Sequence, residues 1–191
     1  MVHPDILTGR LGNRLFQIAY LYSQVKEGNI PDWYLQDVKY FEKYGDEIKK
    51  LFGEGIGYLP YVAVHLRVGA NPLLPSEPKY SENPFYVRLI ETGYYIEALK
   101  LFPNRKFLVF SDDNDFARKY FEGDIFAFDE SQTDIEALNK MASCDGHIIA
   151  NSSFSWWGAY LSPHNGKVVF PKNWFSGKIQ RVGCPETWTQ L

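Results

Sequence analysis

Apolar positions along this 191-residue chain follow two alternating patterns. Short apolar or β-branched runs, typical of buried strands, alternate with longer stretches that have the period of an α-helix. The runs predict strands at 4–7, 61–68, 106–111, 124–128, 146–151 and 167–171. The periodic stretches predict helices at 13–27, 36–52, 86–102, 113–121, 134–143 and 153–161. This alternation predicts an α/β fold, with a Rossmann-like parallel sheet flanked by helices.

Two loops interrupt the alternation. The stretch 51–60 holds three glycines and a proline, and it predicts a boundary between a short amino-terminal segment, 1–58, and a larger sheet domain, 59–191. The alternative is a simple loop within one domain. The stretch 69–84 holds four prolines and directly follows a predicted strand, which is typical of a functional loop. In open parallel sheets ligands bind beyond the carboxyl ends of strands, so the segments after the strands are the first candidates for chemistry.

Composition excludes several classes of function. A net charge of −3 provides no basic field for nucleic acid. The two cysteines, Cys144 and Cys184, have no metal-binding spacing, and the four histidines are scattered. No apolar run is long enough for a membrane span, and the amino terminus lacks a signal-peptide pattern. We therefore expect a cytoplasmic protein with no metal site, no membrane span and no nucleic-acid partner.

The segment "IIANSSFSWWGAYLS" (148–162) contains the first candidate site. It predicts a buried strand that leads into an apolar helix, so Ser152, Ser153 and Ser155 fall at a helix amino terminus. Free N–H groups, the positive end of the helix dipole and serine hydroxyls together favour a phosphate. The two tryptophans that follow are interpreted as packing. The alternative is a capped helix with a purely structural role.

The segment "VHLRVG" contains the second candidate site. Side chains alternate along a strand, so His65 and Arg67 project to one face and the neighbouring Val64, Leu66 and Val68 to the other. A parallel strand buried on both faces is normally apolar throughout, so these two polar residues indicate function. The planar fork of an arginine suits a diphosphate. The alternative is an arginine paired with a structural carboxylate.

Two further segments carry weaker signals. In "TGRLGNRLF", Gly9 and Gly12 lie in a predicted turn and Asn13 is placed as a helix cap. In "VFSDDND", a buried strand runs into Ser111, Asp112 and a second aspartate. Aspartates in that position are commonly helix N-caps, so a structural role stays open for both.

These four segments, in this order, resemble the motifs of the glycosyltransferase family 11 α-1,2-fucosyltransferases. The resemblance runs from Gly9 to Leu161 and is strongest over 142–161. It implies a metal-independent, inverting transferase that moves fucose from GDP-fucose to a hydroxyl of a glycan acceptor and uses no cofactor. It also implies a reduced version of the two-Rossmann (GT-B) architecture, with the donor bound by the carboxyl-terminal half.

The resemblance also implies roles for individual residues. Arg67 corresponds to the arginine that contacts the diphosphate, and His65 to the histidine beside the nucleotide. The serine segment corresponds to the part that wraps the phosphates, and Asn13 faces the donor across the cleft. The donor-binding candidates are Gly12, Asn13, His65, Arg67, Ser111, Asp112, Asp134, Glu136, Asn151, Ser152, Ser153 and Phe154.

The chain departs from the family pattern in three places. Val68 stands where the motif has a second arginine, and Ala70 where it has an aspartate. The acidic residue that reads guanine in related enzymes falls on Ala137, which leaves Asp134 or Glu136 as displaced candidates. Asp134 is equally plausible as a helix N-cap. The acceptor-binding half is also much shortened, so we expect an open cleft and a small, flexible or partner-supplied acceptor.

Several alternatives stay open at this point. The general base is Asp112, Glu77 or a phosphate oxygen. Residues 1–58 are too few for an independent core, so they must pack on the larger half or on a second copy in a homodimer. The competing function is a non-catalytic module that binds a GDP-sugar or a glycan. A glycosidase using Asp112 and Asp129 has no support from spacing.

Overall fold

The computed structural model describes residues 11–27, 38–53, 56–69, 79–176 and 183–191, so the strand predicted at 4–7 lies outside the described residues. The strands are β1 (Leu59–Leu66), β2 (Phe107–Ser111), β3 (Phe126–Phe128), β4 (Cys144–Ile148), β5 (Val168–Phe170) and β6 (Thr189–Gln190). The first five confirm predicted strands, with ends displaced by a few residues. The last is a two-residue strand that no pattern predicted.

The six strands form one sheet in the order β3-β2-β1-β4-β5-β6, and every neighbouring pair is parallel. The strand order reverses between β1 and β4, which is the position where Rossmann-like folds open a crevice for a ligand. The predicted α/β fold with a Rossmann-like parallel sheet is therefore confirmed.

The α-helices are α1 (Leu11–Glu27), α2 (Gly45–Phe52), α3 (Tyr94–Lys100), α4 (Asn114–Tyr120), α5 (Asp134–Ala142) and α6 (Ser153–Tyr160). Two predicted helices are wrong in extent. The stretch 36–52 contains two 3-10 turns before α2, and 86–102 contains one 3-10 turn before α3. The second break has a clear cause, because Gly93 adopts a φ of 76° immediately before α3 and so interrupts the helical path.

The two faces of the sheet bury different side chains of β1. Val62, Val64 and Leu66 pack in one cluster with residues of α3 and α4. Ala63 faces the other way, in a cluster with Leu108 of β2 and with a methionine of α5. The predicted alternation along β1 is therefore confirmed, and it determines which face the polar residues at the end of this strand share.

The described amino-terminal helices pack directly on α6. Phe16 of α1 lies between Trp156 and Trp157, with ring centroids 4.5 and 5.1 Å away, and Phe41 stacks on Trp157 at 5.7 Å. Both tryptophans are fully buried. The interpretation of the tryptophans as packing is confirmed, and the described residues of the amino-terminal segment pack on the larger half. The boundary between residues 58 and 59 stays a prediction.

A buried histidine makes the stability of this core sensitive to pH. His147 in β4 is 1% exposed, and its Nε2–H donates to the carbonyl oxygen of Met141 at 2.9 Å. Burial lowers the pKa of His147 to about 4. An unfolded chain takes up that proton near pH 6.5, so the free energy of unfolding should fall as the pH drops from about 6.5 to about 4, by roughly 3 kcal/mol in total.

Urea denaturation of the chain and of the His147→Gln variant at several pH values checks this prediction. Glutamine can still donate to the carbonyl of Met141 but does not titrate. We expect the variant to lose part of the decline in stability between pH 6.5 and 4. An identical decline in both proteins would show that His147 does not carry it.

Candidate functional site

The amino terminus of α6 lies at the carboxyl edge of the sheet, directly after β4. Ser152 occupies the N-cap position, but its hydroxyl makes no capping hydrogen bond. Instead, the hydroxyl of Ser155 accepts from the N–H of Ala150 and donates to the carbonyl of Ser152, both at 3.2 Å. The first N–H groups of a helix have no intrahelical acceptor, so this end of α6 presents donors and a positive dipole end.

The amino terminus of α1 meets the amino terminus of α6. A Cβ on Gly12 would lie 2.5 Å from the carbonyl carbon of Ser153 and 2.6 Å from the nitrogen of Phe154, so only glycine permits this approach. The hydroxyl of Ser153 also donates to Oδ1 of Asn13 at 2.6 Å. Four predicted site residues are thus brought together, and two helices direct their positive ends to one place, which favours an anion.

His65 connects this place to β1. Its ring centroid lies 5.6 Å from that of Phe154, and its side chain is almost fully buried. The main-chain carbonyl of His65 accepts from the hydroxyl of Tyr95 at 2.8 Å, which ties the strand to α3. The imidazole therefore lies at the crevice between β1 and β4, next to the start of α6.

Arg67 follows β1 and forms an ion pair with Oδ2 of Asp112 at the end of β2. The other carboxylate oxygen, Oδ1, accepts from the N–H groups of Val68 and Gly69, both at 2.9 Å. The two charged side chains are only 11% and 15% exposed. The pairing of Arg67 with a carboxylate, left open by the sequence, is what the structure shows. A guanidinium has five N–H donors in one plane, more than a single carboxylate oxygen accepts.

The rest of the "FSDD" segment is local structure. Asp113 caps α4 by accepting from the N–H of Phe116 at 2.9 Å. The hydroxyl of Ser111 accepts from the N–H of Asp113 at 3.1 Å and so stabilises the same turn. The N-cap interpretation is therefore confirmed for Asp113. Asp112 is not the N-cap of α4 and pairs with Arg67 instead.

Asn151 is a buried connector between β4 and two loops. Its Nδ2 donates to the carbonyls of Val87 and Trp174, both at 2.9 Å. Its own main-chain carbonyl accepts from the hydroxyl of Tyr80. Tyr80 was missed by the sequence analysis, because an aromatic residue at the end of a proline-rich loop belongs to no periodic pattern.

The candidates for reading guanine lie at the start of α5. Thr133 caps this helix by accepting from the N–H of Glu136 at 3.2 Å, and Glu136 accepts in return from the N–H of Thr133. The alternative role of Asp134 as the helix N-cap is therefore wrong, and Asp134 lies exposed in the first turn. Its role in reading guanine stays a prediction. The T-x-x-E spacing of a capping box was the signal for the correct residue.

Glu77 lies outside the described residues. Asp129, the second carboxylate of the glycosidase hypothesis, is buried and forms an ion pair with Lys140 at 2.7 Å. Within the ranges that the structure describes, no group of three or more histidine, cysteine or acidic residues could hold a metal ion. None of the described helices is both long and apolar enough to cross a membrane.

Comparison with known proteins gives a consistent assignment. The profile of glycosyl transferase family 11 matches residues 45–184. The chain is 29% identical over 184 residues to an alpha-1,2-colitosyltransferase from Escherichia coli, a match that covers 82% of this chain and 60% of that protein. It is 26% identical over 194 residues to the O-antigen biosynthesis glycosyltransferase WbnK from Escherichia coli, covering 88% and 62%. The chain thus spans about three fifths of these relatives. No solved structure is significantly similar to it.

Proposed function

Because the chain belongs to glycosyl transferase family 11, we propose that it is an inverting glycosyltransferase that moves fucose from GDP-fucose to a hydroxyl of a glycan acceptor. The observation that carries this proposal is the meeting of the amino termini of α1 and α6 at Ser153, across the crevice from the arginine that follows β1. Dipole ends and a guanidinium together match the charge of a nucleoside diphosphate.

The proposed reaction requires stabilisation of the leaving group, GDP. The acceptor hydroxyl attacks C1 of the sugar as the bond from C1 to the diphosphate oxygen breaks, and the configuration inverts. Negative charge then develops on GDP, and the guanidinium of Arg67 together with the first N–H groups of α6 are the donors assigned to it. No metal ion is required in this scheme, because these donors carry the compensating charge.

The hydroxyl of the acceptor must also lose a proton. Asp112 is poorly suited to receive it, because its two oxygens already accept from Arg67, Val68 and Gly69. We therefore assign the proton to Glu77 or to a phosphate oxygen of the departing GDP, and give Asp112 the task of holding Arg67. Of the three candidates for the general base, this assignment drops Asp112 and keeps the other two.

Binding of GDP without a divalent metal is the first expected result. Titration calorimetry with GDP, UDP and ADP, each in chelator and again with Mg²⁺, measures it. We expect GDP to bind most tightly and its affinity to be the same in both buffers. A strict requirement for Mg²⁺ or Mn²⁺ would contradict the donor assignment, and equal affinity for the three nucleotides would contradict guanine selectivity.

Turnover separates a transferase from a binding module. Incubation with GDP-fucose and β-galactoside acceptors should release GDP and form a fucosylated product, with slow hydrolysis alongside, because water can enter an open cleft. A colitosyl donor belongs in the same assay, since one relative is named for that sugar. If only colitose is transferred, the proposed donor sugar, fucose, is wrong. Binding of the donor without release of GDP would contradict enzymatic activity.

A further inference from the structure

Tyr80 contacts the segments that follow two neighbouring strands, β1 and β4. Its N–H donates to the carbonyl of Gly69 at 2.9 Å, so it closes the base of the loop that leaves β1. Its hydroxyl donates to the main-chain carbonyl of Asn151, immediately before the N-cap of α6. Its ring lies under the guanidinium of Arg67, 5.2 Å from Cζ to the ring centroid. One side chain therefore contacts both sides of the crevice between β1 and β4.

The hydroxyl of Tyr80 is a lasting hydrogen-bond donor. Burial raises the pKa of Tyr80 well above its usual range, with a smaller contribution from the neighbouring Tyr86. The phenol is therefore protonated throughout the neutral range and keeps its bond to Asn151. The ring is also fixed from the other side, because Tyr86 stacks on it with centroids 4.1 Å apart.

Arg67 needs such support because an arginine side chain has several rotatable bonds. The carboxylate of Asp112 fixes one nitrogen of the guanidinium. The ring of Tyr80 occupies the space beside the group, an arrangement that favours a cation over an aromatic face. The N–H groups of a guanidinium lie in one plane, a geometry that matches the oxygens of a diphosphate.

We propose that Tyr80 is a positioning residue, which holds the guanidinium of Arg67 against Asp112 in the orientation that receives the diphosphate of the donor. This role rests on the proposed function, since it supposes a diphosphate ligand. Small displacements of such a group are costly, because binding and catalytic groups act only within a narrow geometry.

The test is a double-mutant cycle measured as GDP affinity. Tyr80→Leu removes the ring and should weaken GDP binding roughly tenfold. Tyr80→Phe keeps the ring under Arg67 and should retain affinity within about threefold. Phe85→Leu, the matched control, removes a half-exposed ring of the same segment that lies beside Tyr86 and Phe175, and should also retain it. In an Arg67→Ala background, Tyr80→Leu should have almost no further effect, because its target is gone.

Each outcome decides between two roles. If Tyr80→Leu weakens GDP equally with and without Arg67, or if Tyr80→Phe is as damaging as Tyr80→Leu, Tyr80 is a structural residue and the proposal is overturned. Where the leucine variant does not fold, Tyr80→Met supplies the same comparison with a longer side chain. Failure of the wild-type chain to bind GDP would overturn the proposed function and this role together. If the wild-type chain binds GDP and Tyr80→Leu leaves the affinity unchanged, only the role of Tyr80 is overturned.

Discussion

Replacing Arg67 with alanine is expected to lower the rate of glycosyl transfer by roughly 10- to 150-fold, since a hydrogen bond to a charged group contributes about 1.5–3 kcal/mol. The loss should be visible in kcat as well as in kcat/KM, because the charge that Arg67 meets grows as the diphosphate departs. Arg67→Lys should restore little, because an ammonium has no planar fork with which to bind both Asp112 and the donor.

The fold should survive this substitution. Arg67 lies just beyond the end of β1, and Asp112 keeps two donors, the N–H groups of Val68 and Gly69. The carboxylate is largely buried, but these two main-chain donors keep it from being left uncompensated. We expect a modest decrease in melting temperature and a native circular dichroism spectrum.

A second arginine–aspartate pair supplies the matched control. Arg105 and Asp145 pair at 2.7 Å near the amino ends of β2 and β4, on the opposite edge of the sheet, and each side chain is about one third exposed. Arg105→Ala should leave transfer unchanged and cost at most about 1 kcal/mol of stability. If Arg67→Ala instead melts far lower while its folded fraction stays active, Arg67 is a structural residue and the mechanism is wrong.

The sheet was largely predictable from sequence because buried parallel strands are continuous apolar runs. "KFLVFS" and "KVVFP" are such runs and predict buried strands, and β2 and β5 lie within them. The two-residue β6 was not predictable, since Thr189 and Gln190 are exposed and owe their strand geometry to pairing with β5. The break before α3 depends on one glycine with positive φ, which a search for helical periodicity does not detect.

The site was predictable only in part. Alternation along β1 indicated which face His65 and Arg67 share, and the serine-rich junction indicated the start of α6. The partner of Arg67 could not be identified, because Asp112 is 45 positions away and its adjacent twin, Asp113, has the same local context. Tyr80 could not be predicted for the same reason, since its role comes from contacts with the ends of β1 and β4 and not from its neighbours in sequence.

Gly12→Ala is expected to damage stability and nucleotide binding together. The new Cβ would lie within 2.6 Å of main-chain atoms of Ser153 and Phe154, and main chain cannot move aside as a flexible side chain can. Overpacking of this kind costs about 1–3 kcal/mol, which corresponds to a decrease in melting temperature of roughly 2–12 °C for a chain of this size. Because α1 must shift away from α6, the donors at Ser153 move as well, and GDP affinity should fall roughly tenfold or more.

Gly57→Ala is the matched control, because the nearest atom to a Cβ there, Oγ of Ser143, is 3.9 Å away. This variant should melt and bind GDP like the wild type. Differential scanning calorimetry and titration with GDP measure both quantities on the same preparations. If Gly12→Ala is destabilised but binds GDP normally, the meeting of α1 with α6 serves only packing, and the anion site must be formed by α6 and Arg67 without α1. If its stability is also unchanged, the two helix ends are not in the close contact that the structure shows.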